Sequence, residues 1–179
     1  MQAILERARP VRLVIFDVDG VLTDGHLSYS SHPDAPEKEQ SKVFFAHDGL
    51  GMKLLMQAGI EIGIITARGS LAVTRRMSDL GVQHVLQNQY DKLAGYESLL
   101  AQLNLSHEQV AYMGDDIIDL PVLRRVGLAT TVTNASSLVQ SHCHWVSQNP
   151  SGKGAARELC ELILSAQGRW DETLAYFMR

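Results

Sequence analysis

The 179-residue sequence holds only two cysteines, Cys143 and Cys160, and no apolar run long enough to span a bilayer. The cysteine spacing fits neither a metal site nor a disulfide framework, so a reduced, cytoplasmic setting is expected. Basic clusters are missing too. Sixteen Lys and Arg stand against 20 Asp and Glu, a net charge of −4, and nothing tracks a phosphate backbone. Neither nucleic acid nor an anionic membrane is expected as a partner. The first ten residues are too short and too charged for a secretory signal. No internal repeat, low-complexity tract or Gly-x-x-x-x-Gly-Lys loop is present, which argues against a nucleotide-driven transferase. What composition leaves is one domain, residues 1–179, with 45% hydrophobic residues. A chain of this size buries about 70% of its unfolded surface without staples.

Against those absences stands one dense stretch, Val14-Ile15-Phe16-Asp17-Val18-Asp19-Gly20-Val21-Leu22-Thr23-Asp24. An apolar, β-branched run ends in two acids one residue apart, and a glycine then permits a sharp turn. Alternation along an extended segment sends Asp17 and Asp19 to one side and Val18 to the other. A buried strand over 11–16 thus delivers two carboxylates to an edge where open α/β sheets bind ligands. An Asx turn alone would account for a single Asp-Gly.

Downstream, strands and helices alternate: a helix opened by Asp48-Gly49-Leu50-Gly51, with Asp48 as a possible N-cap, then strand 61–65 ending in Thr66-Ala67-Arg68, helix 70–80, strand 82–86 and helix 91–103. Strand 110–113 ends in Gly114-Asp115-Asp116-Ile117-Ile118-Asp119. A helix with Pro121 in its first turn, strand 127–133 and helix 154–167 follow. This is the pattern of a three-layer, Rossmann-like parallel sheet. Two further features stand out. Residues 26–46 read as a projecting β-hairpin whose apolar residues would pack on another copy of the chain. The tail, 168–179, keeps Trp170, Tyr176 and Phe177 and is too aromatic for an idle end.

Four strand-end or helix-start groups would converge: Asp17 with Asp19, Thr66, Lys92, and Asp115 with Asp116 and Asp119. Several carboxylates in one crevice repel unless a cation holds them, and oxygen-only ligands favour a hard ion such as Mg²⁺. Lys92 by charge, and Thr66 by hydroxyl and backbone N–H, would then hold a phosphoryl group.

Asp-Val-Asp-Gly-Val-Leu-Thr-Asp, Ile-Ile-Thr-Ala-Arg, Tyr-Asp-Lys and Gly-Asp-Asp-Ile-Ile-Asp, in this order, resemble the four signature motifs of the haloacid dehalogenase superfamily of aspartyl-phosphate phosphatases. Only 23 residues separate Asp24 from Asp48, and 23 separate Arg68 from Lys92, so there is no room for a cap domain. The chain is most similar to the capless branch represented by the octulosonate 8-phosphate phosphatases, which form homotetramers. The resemblance implies that Asp17 is nucleophile and magnesium ligand. Asp19 would carry the proton and lend its backbone carbonyl to the ion, and Asp115 would be the other carboxylate ligand. Asp116 and Asp119 would stand behind them, with Thr66 and Lys92 clamping the phosphoryl group. It further implies His47, Asp48, Gly49, Lys53, Arg68 and Arg76 as contacts for a sugar acid, alongside Asp19 and Lys92. His47 and Lys53 replace arginines usual in that family, Phe45 a polar residue and Ala67 a glycine. These departures leave the phosphate chemistry intact and bear on the sugar. The resemblance implies hydrolysis of 3-deoxy-D-manno-octulosonate 8-phosphate, a step toward lipopolysaccharide precursors, with a nonulosonate 9-phosphate as the competing substrate.

The rival from another class is a phosphoacceptor receiver domain. In receivers the acid pair follows the first strand and the acceptor Asp the third, whereas here the first strand carries the Asp-x-Asp-Gly motif. A scaffold that has lost turnover is opposed by the presence of Asp17, Asp19, Lys92 and Asp115.

Overall fold

The computed structural model describes residues 1–28 and 41–179. Six parallel strands form one sheet: β1 (Leu13–Phe16), β2 (Glu61–Ile65), β3 (His84–Leu86), β4 (Val110–Met113), β5 (Leu128–Thr131) and β6 (Trp145–Val146), in the order β3-β2-β1-β4-β5-β6. The helices are α1 (Gln2–Ala8), α2 (Ala46–Gln57), α3 (Leu71–Leu80), α4 (Lys92–Leu103), α5 (Leu120–Leu123), α6 (Ser137–Gln140), α7 (Ala155–Ala166) and α8 (Trp170–Ala175). The expected three-layer α/β fold is what forms.

β1 shows why. All four of its residues are buried, and its side chains alternate between two cores. Val14 and Phe16 join the apolar residues of α2, α3 and α7, while Leu13 and Ile15 join Tyr96, Leu99 and Leu100 of α4 with Val122 and Leu123 of α5. Because β2 lies on one side of β1 and β4 on the other, the order reverses at β1. The crevice at this switch point opens beyond its carboxyl end.

Element ends differ from expectation where backbone hydrogen bonds intervene. β1 starts at Leu13 rather than Val11, whose N–H closes onto Ala8 O at 3.3 Å after α1. β3 starts at His84 because Gly81, at φ 83°, ends α3 and turns the Val82 N–H back to Met77 O at 3.0 Å. Helices α1 and α6 and the two-residue β6 are too short to announce themselves by periodicity. The hairpin expected over 26–46 falls largely on 29–40, outside the described residues, and its described flanks form no strand. Among the described residues no helix is long and apolar enough to cross a membrane. In the tail, α8 has no buried residue, and Tyr176 and Phe177 are exposed.

Asp48 does not cap its own helix. The N-cap of α2 is Phe45, and Asp48 sits in the first turn, buried against α7. There Oδ1 accepts the Arg157 N–H at 2.8 Å, which α7 needs because its N-cap, Gly154, has no side chain to offer. One acid of α2 thus caps a helix more than a hundred residues away. Burial pushes its carboxyl up despite that backbone donor. Asp48→Ala should lower stability by about 1–2 kcal/mol, while Asp48→Asn, which keeps the acceptor, should lose far less. Denaturant titration measures both, and an unchanged midpoint for the alanine variant would contradict the capping role.

Candidate active site

Asp17 follows directly on Phe16, which is paired with Ile64 of β2 and Met113 of β4. Its own N–H continues the ladder to Met113 O at 3.0 Å, so the side chain leaves the sheet at a fixed point, 4% exposed. Oδ1 accepts the Val18 N–H at 2.7 Å, and Oδ2 pairs with Lys92 Nζ at 2.8 Å. Lys92 opens α4, whose start is capped by Asp91 through the N–H groups of Leu93 and Ala94. Its ammonium, out of solvent, also meets Asp119 Oδ1 at 2.6 Å.

Asp119 is saturated. Oδ1 accepts from the Tyr112 hydroxyl at 2.5 Å as well as from Lys92, and Oδ2 from the N–H groups of Asp115 and Asp116 at 3.0 and 3.1 Å. Four donors take all the acceptor sites a carboxylate has. Gly114 makes this possible, since a Cβ there would stand 2.4 Å from Asp119 Cγ. Asp115 is the opposite case: its Oδ1 is buried without a partner. The first loop passes it closely through Gly20, at φ 86°, where a Cβ would lie 2.0 Å from Asp115 Oδ2.

Oxygens of Asp17, Asp115 and Asp119 lie within 4.8 Å of one another. Burial, Asp119 and then the opposing pull of Lys92 leave the Asp17 carboxyl pushed up to about 6. Burial, followed by Asp17 and Asp119, pushes Asp115 up to about 7. For Lys92, burial alone would lower the ammonium, but Asp17 and Asp119 outweigh it and raise it. An orphaned buried oxygen and two acids that resist ionisation fit a hard divalent cation. Since Asp119 has no lone pair left, Asp17 and Asp115 are the carboxylates that can face it.

Asp19 lies three residues past the end of β1, beyond Val18, which is buried in the core. The chain winds into a tight turn at Val18–Leu22, with Asp19 at φ −77°, ψ 116° and Gly20 outside helical values. Its carboxylate meets two cations: Oδ1 pairs with Lys42, and Oδ2, shielded and without a hydrogen bond, lies 3.7 Å from Arg68 Nε. Thr66 is buried at the end of β2, yet its N–H is taken by Leu86 O at 3.0 Å, which leaves only the hydroxyl for a ligand. This corrects the expected N–H donation. Asp116 is exposed and caps the turn at Ile117–Asp119 through the Ile117 N–H at 2.7 Å.

The residues expected to hold a sugar acid are scattered in setting. His47 and Lys53 are exposed on α2, and Gly49 is buried beside Asp48. Arg76 lies 5.9 Å from the Phe44 ring centroid and lines a small cavity with Asp48 and Gly49. Among the described residues, no hydrogen bond or ion pair ties His47, Lys53 or Arg76 to the acids. Two contributors carry no signal in the sequence pattern. Tyr112 is hidden in an apolar strand, although a buried tyrosine hydroxyl always demands a partner. Lys42 lies in a segment that reads as hairpin, and nothing in its spacing marks it.

Acids gathered around a buried lysine where the strand order reverses match the arrangement expected of a hydrolase of the haloacid dehalogenase type. The family model described as haloacid dehalogenase-like hydrolase matches residues 77–159. The chain is 43% identical over 166 residues to the 3-deoxy-D-manno-octulosonate 8-phosphate phosphatase of Yersinia pestis, covering 93% of this chain and 86% of that one. It is 40% identical over 169 residues to the enzyme of Escherichia coli K12, covering 94% and 87%. Among solved structures, the phosphatase of Moraxella catarrhalis, in complex with a magnesium ion, a phosphate ion and a KDO molecule, superposes with a TM-score of 0.94 at 38% identity, over 99% of both chains. The chain belongs to the haloacid dehalogenase-like hydrolases and, within them, to the family of the 3-deoxy-D-manno-octulosonate 8-phosphate phosphatases, which makes it a phosphoric monoester hydrolase.

The raised Asp17 and Asp115 carboxyls have a stability consequence. The ion-free fold binds protons at these groups more tightly than the unfolded chain does. Their contribution is therefore full below the ordinary carboxylate range and disappears as pH rises through about 6 to 7. Ion-free wild type should lose ground to Asp115→Asn between about pH 5 and pH 8. Millimolar magnesium chloride should raise the wild-type melting midpoint at the upper pH by at least about 3 °C and the variant's by much less. Calorimetry showing a gap indifferent to both pH and magnesium would contradict the cation site.

Proposed function

We propose that the chain hydrolyses 3-deoxy-D-manno-octulosonate 8-phosphate to the free sugar acid and phosphate in the cytoplasm, as a step toward lipopolysaccharide precursors, with Mg²⁺ as cofactor. The substrate reading is supported by the 43% identity to the Yersinia pestis phosphatase, and the cation by the contrast within the acid cluster. Asp119 is consumed in holding Lys92 and the β4 loop, while Asp115 presents a buried oxygen with no donor. Bound magnesium would offset the charge of two carboxylates and of the phosphoryl oxygens.

Asp17 is held at the end of β1 with Oδ1 on the Val18 N–H and Oδ2 on Lys92, a geometry suited to in-line attack on phosphorus. A bond forms between an Asp17 oxygen and phosphorus as the bond from phosphorus to the sugar oxygen breaks, and Asp19 gives that oxygen its proton. Water, losing its proton to Asp19, then attacks phosphorus as the bond from phosphorus to the Asp17 oxygen breaks, which restores the Asp17 carboxylate and releases inorganic phosphate. Among the described residues Lys92 spends two of its three donors, on Asp17 and Asp119, and the third would serve a phosphoryl oxygen. The Thr66 hydroxyl serves the same group. Arg68 is exposed beside Asp19 and offers a forked cation to the sugar carboxylate. His47, Asp48, Gly49, Lys53 and Arg76 complete the sugar pocket, Asp48 by anchoring α2 rather than by direct contact. We place the protein in a homotetramer, a reading supported by Val43, which is 78% exposed beside the segment expected to pair between copies.

A phosphate-release screen over sugar-acid phosphates with magnesium tests the assignment. The octulosonate ester should exceed nonulosonate 9-phosphates in kcat/KM by at least about tenfold, and the reverse order would move the substrate to that class. Asp17→Asn should lower turnover by at least about a thousandfold, and undiminished single-turnover hydrolysis by that variant would remove Asp17 as nucleophile. Asp19→Asn should slow release by about 10²- to 10⁴-fold while a phosphoenzyme accumulates from an activated ester. Wild-type breakdown of the intermediate in that variant would remove the proton carrier.

A further inference from the structure

We infer that Lys42 is a positioning residue for Asp19: it pins one carboxylate oxygen so that the other faces the leaving oxygen of the substrate. The inference rests on the proposed role of Asp19 as proton carrier and adds to it a residue that the motifs do not contain.

The side chain of Lys42 is 3% exposed although residues 41–45 have no regular secondary structure to bury it. An ammonium withdrawn from water needs a counter-charge, and among the described residues Asp19 Oδ1 meets it. Asp19 needs orientation equally. Asp17, Asp116 and Asp119 are each fixed by backbone N–H groups, from Val18, from Ile117, and from Asp115 and Asp116. Among the described residues no such N–H reaches the Asp19 carboxylate, so its direction is set from outside the motif, by a side chain 23 positions further along. The pairing is one-sided. Oδ2 has no hydrogen bond, and Arg68 Nε at 3.7 Å is too far to make one. One oxygen is anchored and the other is sheltered from solvent without a donor, the arrangement required of a group that must hand over a proton in one direction. Two rival roles exist for a buried lysine at this place: a strut that only holds residues 41–45 in position, or a direct ligand for an anionic group of the substrate.

Leaving-group dependence separates them. A 4-nitrophenolate departs with little help from an acid, whereas the sugar alkoxide needs the proton. Lys42→Ala should lower kcat for 3-deoxy-D-manno-octulosonate 8-phosphate by about tenfold to a hundredfold. The loss for 4-nitrophenyl phosphate should be clearly smaller, and KM should move by less than about threefold. In an Asp19→Asn background the same change should have almost no further effect, because both act through one carboxylate, and Lys42→Arg should recover part of the rate. If the alanine variant melts early, Lys42→Gln, which keeps the stem, takes its place. Equal losses on both esters that add to those of Asp19→Asn would make Lys42 a strut, and a raised KM with unchanged kcat would make it a substrate ligand. Either outcome overturns the inference while leaving the hydrolase reading intact. A wild-type chain that releases no phosphate from either ester overturns both.

Discussion

The buried ammonium of Lys92 is the constraint on which the site depends. It has no contact with solvent, and it keeps its charge because Asp17 and Asp119 meet it at 2.8 and 2.6 Å. Asp17 follows β1, Asp119 closes the turn between β4 and α5, and the lysine opens α4, so three parts of the chain are tied at one point. Removing any member leaves an uncompensated charge in a dry place, which is far more destabilising than replacing the whole set. The ammonium also decides what each acid can do. With Lys92, Tyr112 and two N–H groups on it, Asp119 is a support. With one oxygen turned to Lys92 and its chain position fixed by β1, Asp17 is aimed.

The sheet supplies the precision. β1 is fully buried and divides its side chains between two cores, so its end cannot shift without disturbing both. Register then aligns its tip with those of β2 and β4. Close approaches at Gly20 and Gly114 let the loops carrying Asp115 and Asp119 press against that tip with no side chain between them. Rigid delivery of charged groups to a crevice is what transition-state stabilisation requires.

Much of this is legible in the amino-acid order. The βα alternation, the acids at strand ends and the helix start at Lys92 follow from period and punctuation, and they lead to the correct layers and to the residues that meet in the crevice. What escapes has physical reasons. Asp48 looks like a cap for its own helix because capping is read locally, but its partner is the Arg157 N–H of α7, and such a distant pairing leaves no trace in spacing. The Thr66 N–H looks free for a ligand in the sequence, but the β3 connection claims it through Leu86. Lys42 reaches Asp19 from a segment without periodicity, so only coordinates reveal it.

The division of labour among the acids can be observed directly in a crystal of the wild-type chain soaked with magnesium and a phosphate mimic. The account predicts the ion on the carboxylates of Asp17 and Asp115, the mimic in line with an Asp17 oxygen and touching Lys92, and Asp119 still bound to Lys92, Tyr112 and the two loop N–H groups. An ion bonded to Asp119 with Lys92 displaced, or Asp17 turned away from the mimic, would contradict it.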